Sequence, residues 1–254
     1  KNSEVLEIGP GTGALINKLN DIKNIKKIDA YELNSKYLNL FNKNNKFGKL
    51  YKNIDKINKK YDLIILSHSF FHLINLYEDI SKIKSLLKKN GLLIIITPDP
   101  LNYPVLPFIY EIFSFSNKNN ILSYLEKFGL FINRDLKSVF KNEIFVILSR
   151  IKSQKRVNKD KNFLKKFKTI QKKLLIKIQI LKKEKALIIE GAGIGGTFFL
   201  YNLNKNIFKI YDKYLGINMI INKKLKDIKI KKNIKSFNIN KILKTYNWWK
   251  IKKF

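Results

Sequence analysis

At 254 residues, with 45% hydrophobic and 13% aromatic side chains, the chain is too apolar to be disordered, collagen-like or of low complexity, and long enough for two domains of ordinary size. The lack of cysteine excludes disulfides and thiolate metal sites, and no apolar run reaches the ~20 residues that span a bilayer. The net charge of +33 rests on 49 Lys and 3 Arg, with 23 basic against 14 acidic groups in residues 1–150 and 29 against 5 in residues 151–254. Isoleucine and asparagine are also abundant and alanine occurs only 4 times, a signature of AT-rich codons, so much of this charge is expected to face solvent rather than phosphate.

Short apolar runs alternate with helix-like stretches through the first half, as a parallel sheet with crossover helices requires. Glu4–Ile8, Lys27–Tyr31, Asp62–Ser67 and Leu92–Thr97 read as strands. Ala14–Leu19, Ser35–Phe41 and Leu76–Lys89 read as helices, the last closed by Asn90-Gly91. A loop with Pro98, Pro100, Pro104 and Pro107 follows, then a helix at Asn120–Phe128 ended by Gly129, and a strand at Phe145–Ser149. From Lys152 to Lys185 the apolar residues Phe163, Phe167, Ile170, Leu174, Ile178 and Leu181 recur at intervals of three and four, which predicts an amphipathic basic helix. An αβ pattern restarts after it, with strands at Ala186–Glu190, Phe208–Tyr211 and Ile242–Thr245 and a helix at Thr197–Leu203. The first residue is Lys1 and a strand begins almost at once, so an N-terminal piece is expected to be missing; with no leader in view, the expected compartment is cytoplasmic.

Two glycine-rich turns stand out. Val5-Leu6-Glu7-Ile8-Gly9-Pro10-Gly11-Thr12-Gly13 runs from a strand through a glycine turn into a helix, and glycines there let a ligand approach the main chain. Glu32 ends the next strand, where a carboxylate can accept both hydroxyl hydrogens of a ribose. Gly191, Gly193 and Gly196 satisfy G-x-G-x-x-G after a strand, with Asp212 ending the following one, but only about 60 residues remain, enough for one mononucleotide half.

Glu4–Leu15 with Glu32 resembles motifs I and II of class I S-adenosylmethionine-dependent methyltransferases, and the likeness continues through Tyr61–His68 and Leu86–Leu93. The resemblance implies an α/β fold: a Rossmann-like methyltransferase domain at 1–150, a basic linker helix at 151–185 and a smaller Rossmann-like domain at 186–254. It implies S-adenosyl-L-methionine as cofactor, contacted by Glu7, Gly9, Pro10, Gly11, Thr12, Gly13, Glu32, Leu33, Ser67 and His68. The order of a methyltransferase domain, a Lys-rich helix and a second glycine loop is similar to bacterial sugar C-methyltransferases. That implies methylation of a nucleotide-linked sugar at carbon or oxygen, in surface-polysaccharide or natural-product biosynthesis, with Gly191, Gly193, Gly196 and Asp212 on the substrate side. This chain departs from that family at Gly195 and Thr197, where Lys and Asn are usual, and at Glu111-Ile112, where a Glu-His pair is usual, so the acceptor atom stays open.

His68 and His72 are the only histidines, and their spacing of four would let them share one helical face. No third ligand of suitable type lies nearby, so no metal is expected. Abstraction of a proton from the acceptor suits a histidine near neutral pH, and His68, at a strand end, is the first candidate, followed by Tyr110 and Glu111. Leu6–Leu15 also resembles the ribosomal-RNA adenine dimethylases, and the basic half would suit a phosphate backbone. Their Asn-hydrophobic-Pro-aromatic grip is replaced by Ser67-His68-Ser69-Phe70, so RNA methylation is the alternative reading, and a small molecule is the expected partner.

Overall fold

The computed structural model describes residues 2–34, 46–104, 106, 112–134, 142–152 and 157–182, and the strand segments 187–190, 207–212, 217–222, 228–230 and 242–244. The chain divides into two compact units, residues 1–103 with 110–163, and residues 104–109 with 164–254.

In the first unit β1 (Ser3–Ile8) pairs in parallel with β2 (Ile25–Tyr31) and with β4 (Tyr61–Ser67). β3 (Phe47–Tyr51) adds a parallel edge outside β2, and β5 (Leu87–Pro98) lies parallel on the other side of β4. β6 (Phe131–Arg134) and β7 (Glu143–Ser149) close the sheet antiparallel, in the order β3-β2-β1-β4-β5-β7-β6. Strands buried on both faces need no alternation, which is why Val5, Leu6 and Ile8 run together in β1 and Ile64, Ile65 and Leu66 in β4. α1 (Ala14–Leu19) buries Ile16 and Leu19 against Val5, Ile28, Ala30 and Ile65. α2 (Leu76–Leu86) and α3 (Lys118–Glu126) bury Ile80, Ile83 and Leu86, and Ile121, Leu122 and Leu125.

A polar knot ties β2, β3 and β4 together. Buried Asp29 accepts from the Tyr61 hydroxyl at 2.8 Å and from the Lys49 N–H at 2.8 Å, and pairs with Lys59 at 2.8 Å. Its three donors satisfy a carboxylate that would otherwise be too costly to bury.

Several boundaries differ from the sequence reading. α2 stops at Leu86 rather than Lys89, because Leu87 is buried and pairs with Tyr61 as the first residue of β5. The register then jumps, Leu92 pairing with Leu63, so Lys88–Gly91 bulge out and Lys88 reaches Asp62 at 2.8 Å. α3 begins two residues early because the Asn117 side chain caps it, accepting from the Asn120 N–H at 3.0 Å. It also ends at Glu126, two residues short of the expected Phe128, with Gly129 at φ 69° beyond it. β3 and β6 were not anticipated, and the helix expected over Ser35–Phe41 lies outside the described residues.

In the second unit α4 (Phe163–Lys182, its first residue shared with the first unit) buries Phe163, Phe167, Leu174 and Ile178 of the expected stripe, with Ile170 half-buried. β8 (Leu187–Glu190) pairs in parallel with β9 (Ile207–Asp212) and β12 (Ile242–Lys244). β10 (Ile217–Asn222) and β11 (Ile228–Ile230) extend the sheet antiparallel beyond β9, a meander that the sequence reading lacked. The helix expected over Thr197–Leu203 lies outside the described residues.

Candidate functional site

The order of the parallel strands reverses between β1 and β4: the connection from β1 leads outward to β2, and that from β4 leads the other way to β5. Open α/β sheets bind ligands in the crevice at the carboxyl ends of strands flanking such a switch. Gly9–Gly13 follow β1, Glu32 follows β2, His68 follows Ser67 at the end of β4, and Asp99 follows β5.

The glycine turn is built for close approach. Gly9, Gly11 and Gly13 have φ of 67°, 53° and 76°, in the left-handed region that other residues avoid. A Cβ on Gly9 would fall 2.6 Å from that of Ser69, whose hydroxyl donates to the Ile8 carbonyl at 2.5 Å. The turn after β4 is thereby bolted to the turn after β1. A Cβ on Gly11 would meet nothing within 4 Å, so this glycine leaves open space beside the backbone. The Gly11 N–H donates to Glu32 Oε2 at 3.1 Å, and the Asn34 N–H to Oε1 at 2.8 Å. Glu32 is thus held against the turn, each oxygen keeping a further acceptor position. Pro10 is buried, Thr12 exposed, and Leu33 exposed by 65%.

Glu7 lies in β1 opposite Ala30 and Ile65, on the face that α1 covers. It is 2% exposed, and Oε2 has no hydrogen-bond partner among the described residues. Burial pushes its carboxyl up to about 7.

His68 has φ 60°, the one non-glycine residue with positive φ among those described. Its N–H donates to the Ile96 carbonyl at 2.7 Å, and Nε2 lies 3.4 Å from Glu143 Oε1. Glu143, opposite Pro98 at the start of β7, was missed from the sequence because only the antiparallel register brings it here. His72 closes a 3₁₀ turn (Phe70–His72), so the two histidines do not share an α-helical face as their spacing suggested; the left-handed turn at His68 breaks the period. Asp99 accepts from the Leu101 N–H and the Asn102 side chain, which binds it to its own loop. Tyr110, Glu111, Gly191, Gly193 and Gly196 lie outside the described residues, and Asp212 ends β9. Among the described residues no cluster of three metal-ligating side chains occurs, and no helix is long and apolar enough to cross a membrane.

A family profile described as "Methyltransferase domain" matches residues 1–141, more than half of the chain. The chain belongs to the class I S-adenosylmethionine-dependent methyltransferases. Among solved structures it is similar to the mitomycin 7-O-methyltransferase MmcR (16% identity, TM-score 0.51, covering 59% of this chain and 49% of that one). Others are a Bacillus halodurans C-125 protein assigned as a methyltransferase (19%, 0.46, 52% and 64%) and an S-adenosylmethionine-dependent methyltransferase from Clostridium acetobutylicum (18%, 0.47, 57% and 83%). The matched part spans less than two thirds of the first two. No curated protein matches.

S-adenosylmethionine is the methyltransferase's cofactor, and the residues present suit it. The cofactor carries an ammonium, a sulfonium and a ribose diol, and the turn combines open space at Gly11, free acceptor positions on Glu32 and an unpartnered buried oxygen on Glu7.

Proposed function

We propose that this methyltransferase methylates a small molecule, and specifically a nucleotide-linked sugar at oxygen or carbon, in the cytoplasm and in the synthesis of a surface polysaccharide or natural product. The observation that carries the cofactor side of this reading is Glu32, fixed by the Gly11 N–H with acceptor positions to spare for the ribose. When bound, the cofactor supplies an electrophilic methyl on a sulfonium.

The main chain of Gly9–Gly13 lines the methionyl part, and Glu7 offers its oxygen to positive charge there. Exposed Leu33 offers apolar surface to the adenine. Ser67 and His68, ending β4, face the reacting methyl, and His68 takes the acceptor's proton while Glu143 holds its ring. Tyr110 and Glu111 are further candidates for the acceptor side. A second αβ domain at 186–254, joined by the basic helix, presents the substrate through Gly191, Gly193, Gly196 and Asp212. The sequence order and the surplus charge of residues 151–254 support this part of the reading.

The test is a thermal-shift screen of nucleotide sugars with and without S-adenosylhomocysteine, on wild type and Gly193→Asp. Stabilisation of wild type that the variant lacks is the expected result. Equal shifts in both proteins, or none, overturn the sugar assignment, and absence of any response to S-adenosylhomocysteine overturns the cofactor site.

A further inference from the structure

A cavity of about 300 Å³ opens in the first unit between the segment after β4 and α3. None of its described lining residues belongs to the turn, Glu32 or His68. Its lining is aromatic: Phe70 and Phe71, almost fully buried and tilted against each other at 5.7 Å between centroids, line it together with Phe115 from the segment before α3 and Tyr124 from α3 itself. The wall is firmly made. The Phe113 and Ser114 N–H groups donate to the Phe71 carbonyl, and the Asn120 side chain accepts from the Asp160 N–H at 2.8 Å and donates to the Asp160 carbonyl at 3.4 Å.

Two features of this cavity have no internal use. The Ser114 hydroxyl lines it, buried, with no hydrogen-bond partner among the described residues, and such a group is normally satisfied. Lys127 and Lys159 stand at its edge, both exposed, and neither is ion-paired among the described residues. Aromatic lining, one unmet hydroxyl and two cations at the rim complement a planar ring that carries a negative group.

We propose that this cavity is a binding site for an aromatic or heteroaromatic ring joined to an anionic group, the ring against Phe70, Phe71, Phe115 and Tyr124 and the anion toward Lys127 and Lys159. An aromatic carboxylate and a nucleoside monophosphate share this chemistry.

Calorimetric titration of the full chain with 4-hydroxybenzoate and with thymidine monophosphate tests the site, with benzamide and thymidine as uncharged controls. One of the two anions binds, its uncharged control binds about tenfold more weakly, and the Lys127→Glu/Lys159→Glu double variant weakens the anion by about tenfold or more. Ser123→Trp, which fills the cavity from α3, abolishes binding while circular dichroism remains that of wild type. Which anion binds identifies the source. If neither anion binds folded wild-type protein, or if the lysine and Ser123 variants bind as wild type does, the proposal is wrong. S-adenosylhomocysteine titrated in parallel keeps this outcome separate from a failure of the cofactor site.

Discussion

His68 Nε2 and Glu143 Oε1 face each other at 3.4 Å from the carboxyl end of β4 and the start of β7, where the register sets Glu143 opposite Pro98. His68 reaches that position only through its left-handed backbone, which costs about 1–3 kcal/mol and has to be held by its surroundings. The half-exposed ring is thereby restrained on one side by a carboxylate.

His68→Ala is therefore expected to lower kcat by roughly 10²-fold or more, the range for a lost general base, while S-adenosylhomocysteine affinity stays near wild type. Glu143→Gln keeps the shape and removes the charge, so it lowers kcat by a smaller factor and leaves KM nearly unchanged. Glu143→Asp recovers part of the loss. Single-turnover kinetics would check this, and equal kcat in all variants would assign the pair to packing.

Glu32→Ala removes the partner of the Gly11 and Asn34 N–H groups as well as the proposed ribose acceptor. Calorimetry should show S-adenosylhomocysteine binding weakened by roughly 1.5 to 3 kcal/mol, the worth of hydrogen bonds to a charged group. Glu32→Gln retains one acceptor and falls between. Unchanged binding would move the ribose elsewhere.

The first glycine turn, its acid and the strand end at Ser67 were legible because each depends on local residues: glycines for positive φ, a carboxylate at a strand end, an apolar run without alternation. Glu143 and Ser69 were not, since their roles arise from pairing across the sheet. Nothing in residues 131–149 announces that β7 inserts between β5 and β6, yet that insertion delivers Glu143. Ser69 looks like an ordinary loop serine until Gly9 is brought against it. The end of α2 was misplaced for a related reason: Asn90-Gly91 resembles a helix stop, but burial of Leu87 against Tyr61 starts the strand earlier, and Gly91 is needed where a Cβ would fall 3.0 Å from the Tyr61 carbonyl.

Gly9→Ala combines a disfavoured φ with a clash against Ser69, and should cost about 2 kcal/mol or more in denaturant unfolding. Ser69→Gly removes the clashing atoms but also the hydroxyl bond to Ile8, so alone it destabilises by about 1 kcal/mol. Combined, the two are expected to cost less than their sum, because the steric part of the first vanishes in the background of the second. Strict additivity would mean that Gly9 is required for φ alone.

Glu7 makes stability depend on pH in an unusual direction. Its ordinary value of 4.5 is raised to about 7 in the folded chain by burial. Between these values the folded state holds a proton that the unfolded state has released, so stability falls as pH rises from about 4.5 to 7 and is flat in this respect above. The shift corresponds to roughly 3 kcal/mol. Glu7→Gln, which cannot ionise, should abolish that slope and unfold at higher denaturant than wild type at pH 8, with little difference at pH 4.5. Urea unfolding across this range checks it. The same ionisation is what a cationic ligand would favour, so S-adenosylmethionine, with its sulfonium and ammonium, should bind wild type more tightly at pH 8 than at pH 5.5, with the difference reduced in Glu7→Gln. A variant that is less stable than wild type at pH 8 would show instead that the Glu7 carboxylate is already satisfied in the folded protein.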